Sequence, residues 1–292
     1  MKTSIIVTLL SLAFSYAVGA PLDEATTKYK MIQIERHDKI LVAKFSNPPR
    51  QTMNPTMVAE LSDLLTYVEN DEQTRVLVLT GASPNVFIAS YDVGEIGRSN
   101  ASATTQGEIT ADNSKPELHK LHQALLKIEA LSKPVIAAIN GRAHGGGFET
   151  ALACDFRFIA TNGSVGLPEV GIGIIPGGGG TQRLPRLIGY GKAKELILLG
   201  KTVDGVTAEK LGMVTRAVEP EKLMEETLAF ANQLAIKPAV SLKQAKRAMR
   251  EGFNLPLEDA LRIEQDAYYK AARSEETRAL FKSRGLVPAK NE

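Results

Sequence analysis

His144-Gly145-Gly146-Gly147-Phe148-Glu149 stands just behind the apolar run Val135-Ile136-Ala137-Ala138-Ile139 and its Asn140-Gly141 stop. A continuous apolar run bounded by turn residues reads as a strand buried on both faces. The glycines then open a short helix, and a further strand, Phe156 to Ala160, follows it. Strand, helix and strand alternate, so the fold class is α/β. Glycines at a helix start also have a chemical use. With no side chains in the way, a ligand can approach the main chain, and the free N–H groups favour developing negative charge. An oxyanion hole can be made in this way.

Working outward toward the N-terminus, Val76-Leu77-Val78-Leu79, ended by Gly81, reads as a second buried strand. Asn54-Pro55 supplies a cap and a first-turn proline, and Met57, Leu61, Leu64, Leu65 and Val68 recur on one helical face. Met31 to Ile34 and Ile40 to Phe45, separated by His37-Asp38-Lys39, predict an opening hairpin. The Ser/Thr/Ala/Asn-rich stretch from Gly94 to Lys115 predicts a surface loop. Beyond Gly191 strand signals fade, and Leu257, Leu261 and Tyr268 mark one face of a helix ending near Arg273. The expected division is an α/β core over 31–200 and a helical region over 201–292.

Twenty positions after Glu149 stands Glu169, in Leu167-Pro168-Glu169, followed by Ile175-Pro176-Gly177-Gly178-Gly179-Gly180-Thr181-Gln182-Arg183-Leu184. The two runs, GGGFETALACD and LPEVGIGIIPGGGGTQRL, together resemble the enoyl-CoA hydratase/isomerase (crotonase) superfamily, and the likeness extends from about Met31 to the C-terminus. That resemblance implies a spiral of strand-strand-helix turns with a C-terminal helical oligomerisation region. It also implies an acyl-CoA substrate and a homotrimer, often paired into a hexamer. Glu149 and Glu169 would be the catalytic carboxylates, and Gly177 would help position the reacting water. The N–H groups of Gly146 and Tyr91 would form the oxyanion hole. Tyr91 lies in Phe87-Ile88-Ala89-Ser90-Tyr91-Asp92, where many hydratases carry smaller residues. The flanking Ala89, Asp92, Gly145, Phe148 and Pro168 are the expected substrate contacts. Phe281, Lys282 and Arg284 lie where family members close over CoA.

Two carboxylates suit water addition to a conjugated thioester, because one takes a proton from water while the other delivers a proton to the α-carbon. The resulting expectation is hydration of a trans-2-enoyl-CoA to a 3-hydroxyacyl-CoA, with no cofactor beyond the CoA of the substrate. An enoyl-CoA double-bond isomerase, working through Glu169 alone, is the alternative. A non-catalytic acyl-CoA-binding or RNA-binding member of the family is a further one.

Other chemistry is disfavoured. His144-Gly145-Gly146-Gly147 looks like a lipase oxyanion motif, but no Gly-x-Ser-x-Gly nucleophile elbow accompanies it. Gly171-Ile172-Gly173 runs on to Pro176 where a dinucleotide fingerprint needs glycine, and Gly200-Lys201-Thr202 has Glu195 where a P-loop needs its first glycine. His119 and His122 have helical metal-ligand spacing without an evident third ligand, so no metal is expected and both are assigned to a solvated helix face. Lys243, Lys246, Arg247 and Arg250 form a basic stripe, read as a solvated face, and the net charge of +2 gives no global reason to expect nucleic acid. The balance of 43% hydrophobic and 23% charged residues suits a globular chain with no membrane span.

Lys2, the apolar run Ile5 to Val18 and the ending Val18-Gly19-Ala20 predict a secretory signal peptide over residues 1–20, although Pro21 disfavours cleavage there. The lone Cys154 and the CoA chemistry point instead to a mitochondrion or the cytosol, and the compartment stays open.

Overall fold

The computed structural model describes residues 28–102 and 117–286. The proposed signal segment lies outside these.

The predicted hairpin is present as β1 (Ile32–His37) and β2 (Ile40–Phe45), antiparallel, with Asp38 at φ 51° in the turn. Helix α1 (Pro55–Asn70) begins as its sequence implies: Asn54 accepts the Met57 N–H at 3.0 Å and Pro55 fills the first turn. Next come β3 (Val76–Gly81), β4 (Asn85–Ile88), α2 (Val93–Ser102) and α3 (Lys120–Ala130). The middle of the chain holds β5 (Val135–Ile139), β6 (Gly141–His144), α4 (Gly146–Leu152), β7 (Phe156–Ala160) and β8 (Ser164–Gly166). A 3-10 turn, Glu169–Ile172, leads to α5 (Gly180–Ile188) and α6 (Tyr190–Leu198). Then follow β9 (Thr202–Asp204), α7 (Gly205–Lys210), β10 (Arg216–Val218), α8 (Leu223–Ala235), α9 (Ala239–Gly252), α10 (Leu257–Ala272) and α11 (Glu275–Ser283).

The strands form two sheets. The larger has the order β1-β2-β3-β5-β7-β10 and the smaller β4-β6-β8-β9. Each turn of the spiral gives one strand to the large sheet and the next to the small one: β3 then β4, β5 then β6, β7 then β8. This is the expected strand-strand-helix spiral.

The continuous apolar runs have a physical cause. Alternate residues of β2, β3 and β5 face opposite layers, as a period of two requires. Leu41, Leu77, Leu79 and Ala137 pack in a cluster with α1 and α3, whereas Ile40, Val42, Val76, Val78 and Ile136 pack in a cluster with α8. Truncating one of these buried leucines to alanine costs about 2–5 kcal/mol.

Two expectations need correction. The stretch predicted as a loop from Gly94 begins as helix, because Asp92 holds the first turn through Oδ1, which accepts the Gly94 N–H at 2.8 Å, and Glu95 pairs with Arg98 at 2.6 Å. Gly94 and Gly97 weaken its helical pattern in the sequence. The remainder, 103–116, lies outside the described residues. The core sheets also continue past residue 200, since β9 pairs with β8 and β10 with β7. Strands of three residues are too short to leave an alternation that can be read. The all-helical part therefore starts after β10. There Leu257, Leu261 and Tyr268 share a helix as expected and are exposed.

The basic stripe of α9 keeps Lys243 and Arg250 exposed, as a solvated face should, but three of its charges are paired. Lys246 pairs with Asp155, Arg247 with Asp266 and Arg250 with Glu251. Cys154 is buried, its thiol pushed up to about 12 by desolvation.

Candidate active site

Three backbone arrangements bring the predicted residues together. Asn140, at the end of β5, accepts the Gly81 N–H at 3.1 Å and donates to the Ser83 carbonyl at 2.8 Å, which fixes the corner from β3 into β4. Beyond β4, the chain is tied to the segment before α1: Ala89 N–H donates to Gln51, Met53 N–H to Ser90 and Asp92 N–H to Met53, at 2.8–2.9 Å. That pattern engages the groups on either side of Tyr91, and Tyr91's own N–H faces the other way.

It faces α4. A Cβ placed on Gly146 would stand 3.3 Å from the Tyr91 nitrogen, and one on Gly147 would stand 2.1 Å from the Ile88 carbonyl oxygen. Only a helix start bare of side chains approaches β4 so closely. Gly145, before the helix, takes φ 50°, a left-handed conformation that a side chain disfavours. Neither the Tyr91 nor the Gly146 N–H has a backbone acceptor among the described residues, and both residues line one cavity.

Glu149, on α4, is 2% exposed. Its Oε1 accepts two main-chain N–H groups, from Gly178 at 2.7 Å and Gly180 at 2.8 Å. These come from the glycine run that opens α5, where the first N–H groups of the helix lack internal partners. Arg183, one turn into α5, holds the run in place. It donates through Nη1 to the Gly178 carbonyl at 2.9 Å, through Nε to Glu129 at 2.7 Å and through Nη2 to Glu129 at 3.2 Å.

Glu169 begins the 3-10 turn after Pro168. A Cβ on Gly145 would be 2.8 Å from its Oε1, so the carboxylate lies against the glycine turn. Its Oε2 is buried with no hydrogen-bond partner among the described residues. Burial, with Glu149 adding repulsion, pushes the Glu169 carboxyl up to about 7. Burial raises Glu149 as well, but the Gly180 and Gly178 N–H groups and the nearby Arg183 and His119 oppose that rise.

Both carboxylates line a cavity of about 820 Å³ together with Tyr91, Gly145, Gly146, Pro168 and Gly177. Its remaining wall is largely apolar: Pro55 and Val58 from α1, Val93 and Ile96 from α2, Ile172 from the end of the 3-10 turn, and Ile174 and Ile175 from the loop before the glycine run. Three of the expected substrate contacts lie off this wall. Ala89 and Phe148 are buried in the interior, and the Asp92 carboxylate is occupied with the first turn of α2. Being next to a lining residue did not make them lining residues, because successive side chains on a strand or helix point in different directions.

Of the two histidines, His119 is exposed, as expected, but it does more than face solvent, and His122 is half-buried. His119 caps α3, reaches the Gly177 carbonyl with Nε2 at 3.0 Å and lines the cavity. The ring of His122 stacks beside it at 3.9 Å between centroids. Helical spacing could not show the capping role or the reach to Gly177, because the pattern does not reveal that α3 starts only at Lys120. Among the described residues no group of three or more His, Cys, Asp or Glu side chains is placed to hold a metal ion. Arg183, Gly178 and Gly180 were visible within the glycine motif but had no assigned role; a run of glycines at a helix start signals free N–H groups, not which carboxylate they meet.

An α/β spiral that gathers a buried carboxylate, a half-buried one and two amides without a backbone acceptor among the described residues around an apolar cavity is an enzyme scaffold suited to polarised acyl groups. The profile of the enoyl-CoA hydratase/isomerase family matches residues 35–286, and the chain belongs to that family. It is 37% identical over 241 residues to crotonyl-CoA hydratase of Syntrophomonas wolfei, covering 82% of this chain and 89% of that protein. It is 34% identical over 244 residues to short-chain-enoyl-CoA hydratase of Clostridium acetobutylicum, covering 83% and 90%. Among solved structures, enoyl-CoA hydratase of Bacillus anthracis superposes with a TM-score of 0.78 at 31% identity, covering 88% of this chain and 96% of that one.

Proposed function

We propose that this chain hydrates trans-2-enoyl-CoA thioesters to 3-hydroxyacyl-CoA. The observation that carries this reading is the pair of carboxylates in one cavity with different environments. Glu149 accepts two main-chain N–H groups that favour its ionised form, whereas Glu169 is desolvated, has no donor on Oε2 among the described residues and holds its proton up to about pH 7. Water adds through its oxygen to the β-carbon while Glu149 takes the departing proton. Glu169 gives its proton to the α-carbon, and exchange with solvent restores both groups. Between these events negative charge collects on the thioester oxygen, where the Tyr91 and Gly146 N–H groups act as the oxyanion hole. Gly177 positions the water. No separate cofactor takes part, since CoA enters as part of the substrate.

The two hydratase relatives are named for the same reaction. The family resemblance implies a homotrimer or hexamer, and the exposed Leu257, Leu261 and Tyr268 of α10 offer apolar surface for a contact between copies. The test is purified protein offered crotonyl-CoA and a 3-enoyl-CoA in parallel. Hydration of the first supports the reading, migration of the double bond in the second without hydration would make the chain an isomerase, and binding without turnover would make it a non-catalytic binder.

A further inference from the structure

We infer that His119 is a positioning residue for Glu149, acting through the single peptide group that joins Gly177 to Gly178. The Nε2 of His119 is 3.0 Å from the Gly177 carbonyl oxygen. The N–H of the same peptide group, on Gly178, donates to Glu149 Oε1 at 2.7 Å. One amide plane is therefore held at both ends, by an imidazole on its oxygen and by a carboxylate on its nitrogen.

The tautomer follows from the other ring nitrogen. Nδ1 faces the backbone N–H of His122 at 3.5 Å, at the long end of hydrogen bonding, so Nδ1 presents its lone pair as the cap of α3. The ring proton then sits on Nε2, where the Gly177 carbonyl accepts it. A donor on a carbonyl oxygen polarises the amide and strengthens its N–H as a donor, so the two hydrogen bonds reinforce each other. Arg183 holds the next carbonyl, that of Gly178. His119 thus completes the grip on a glycine segment whose own backbone is intrinsically free to turn.

Two variants separate this role from capping. His119→Gln places an amide donor where Nε2 was and gives up the Nδ1 cap, whereas His119→Asn keeps a cap acceptor and gives up the reach to Gly177. Measured on crotonyl-CoA, His119→Asn is expected to lose about tenfold in kcat at nearly unchanged KM, and His119→Gln to stay within about threefold of the native enzyme. The inference rests on the hydration reading only for this kinetic arm. The Gly178 amide resonance, followed by NMR in the full-length protein, is expected to move in His119→Asn and to hold in His119→Gln whether or not the enzyme hydrates anything. Native kcat in His119→Asn, a rise in KM alone, or a Gly178 amide that ignores the Asn substitution would overturn the assignment. A native protein that leaves crotonyl-CoA unchanged would instead overturn the proposed reaction.

Discussion

Arg183 and Glu129 meet side by side, with Nε on Oε1 at 2.7 Å and Nη2 on Oε2 at 3.2 Å. The third guanidinium contact goes to the Gly178 carbonyl, so this ion pair between α5 and α3 reaches the carboxylate Glu149 at one remove. A lysine cannot reproduce the planar fork. Arg183→Lys and Glu129→Gln are each expected to lower kcat by about tenfold with a modest rise in KM, because misplacement of a catalytic group by a fraction of an ångström is costly. The double variant should lose less than the product of the two, and steady-state kinetics on all four proteins measures that coupling.

Glu149→Gln and Glu169→Gln should each reduce hydration of crotonyl-CoA by about 10²- to 10⁴-fold. In Glu149→Gln the new amide oxygen can still accept the Gly178 and Gly180 N–H groups, so the fold survives and the loss reports chemistry. An isomerase would tolerate Glu149→Gln, and side-by-side rates for the two variants decide between the reactions.

Hydration should fall as pH rises through about 7, because Glu169 must hold a proton to deliver it. Stability follows the same group with a definite sign. The folded chain binds this proton more tightly than the unfolded chain, so the contribution is fully present below about 4.5 and is lost as pH rises through about 7. Glu169→Gln removes the buried charge. It should therefore raise the melting temperature relative to the native protein more at pH 8 than at pH 5, and paired thermal melts measure the difference.

Gly145→Ala introduces two faults at once. Its φ of 50° disfavours a side chain, and the new methyl group would stand 2.8 Å from Glu169 Oε1. The expected outcome is a loss of about 1–3 kcal/mol in stability. Activity should fall by about 10²-fold through displacement of Glu169. Urea unfolding and a crotonyl-CoA assay read the two effects separately.

The order of residues along the chain was enough to determine the α/β layers, the opening hairpin, the cap of α1 and the two glycine motifs. Each depends on neighbours close in sequence: a strand buried on both faces must be apolar throughout, and Asn54-Pro55 caps the turn that follows it. The carboxylates Glu149 and Glu169 were legible for the same reason, since each sits in a short motif. What tertiary structure alone decided is how groups far apart in sequence meet. Gly178 lies 29 positions from the Glu149 it holds, and His119 lies 58 from the Gly177 carbonyl it touches. Strands β9 and β10 exist because long-range partners complete their ladders, not because three residues carry a pattern. Local pattern specifies which element forms; which atoms face the cavity depends on the packing of elements against one another, and no single segment encodes that.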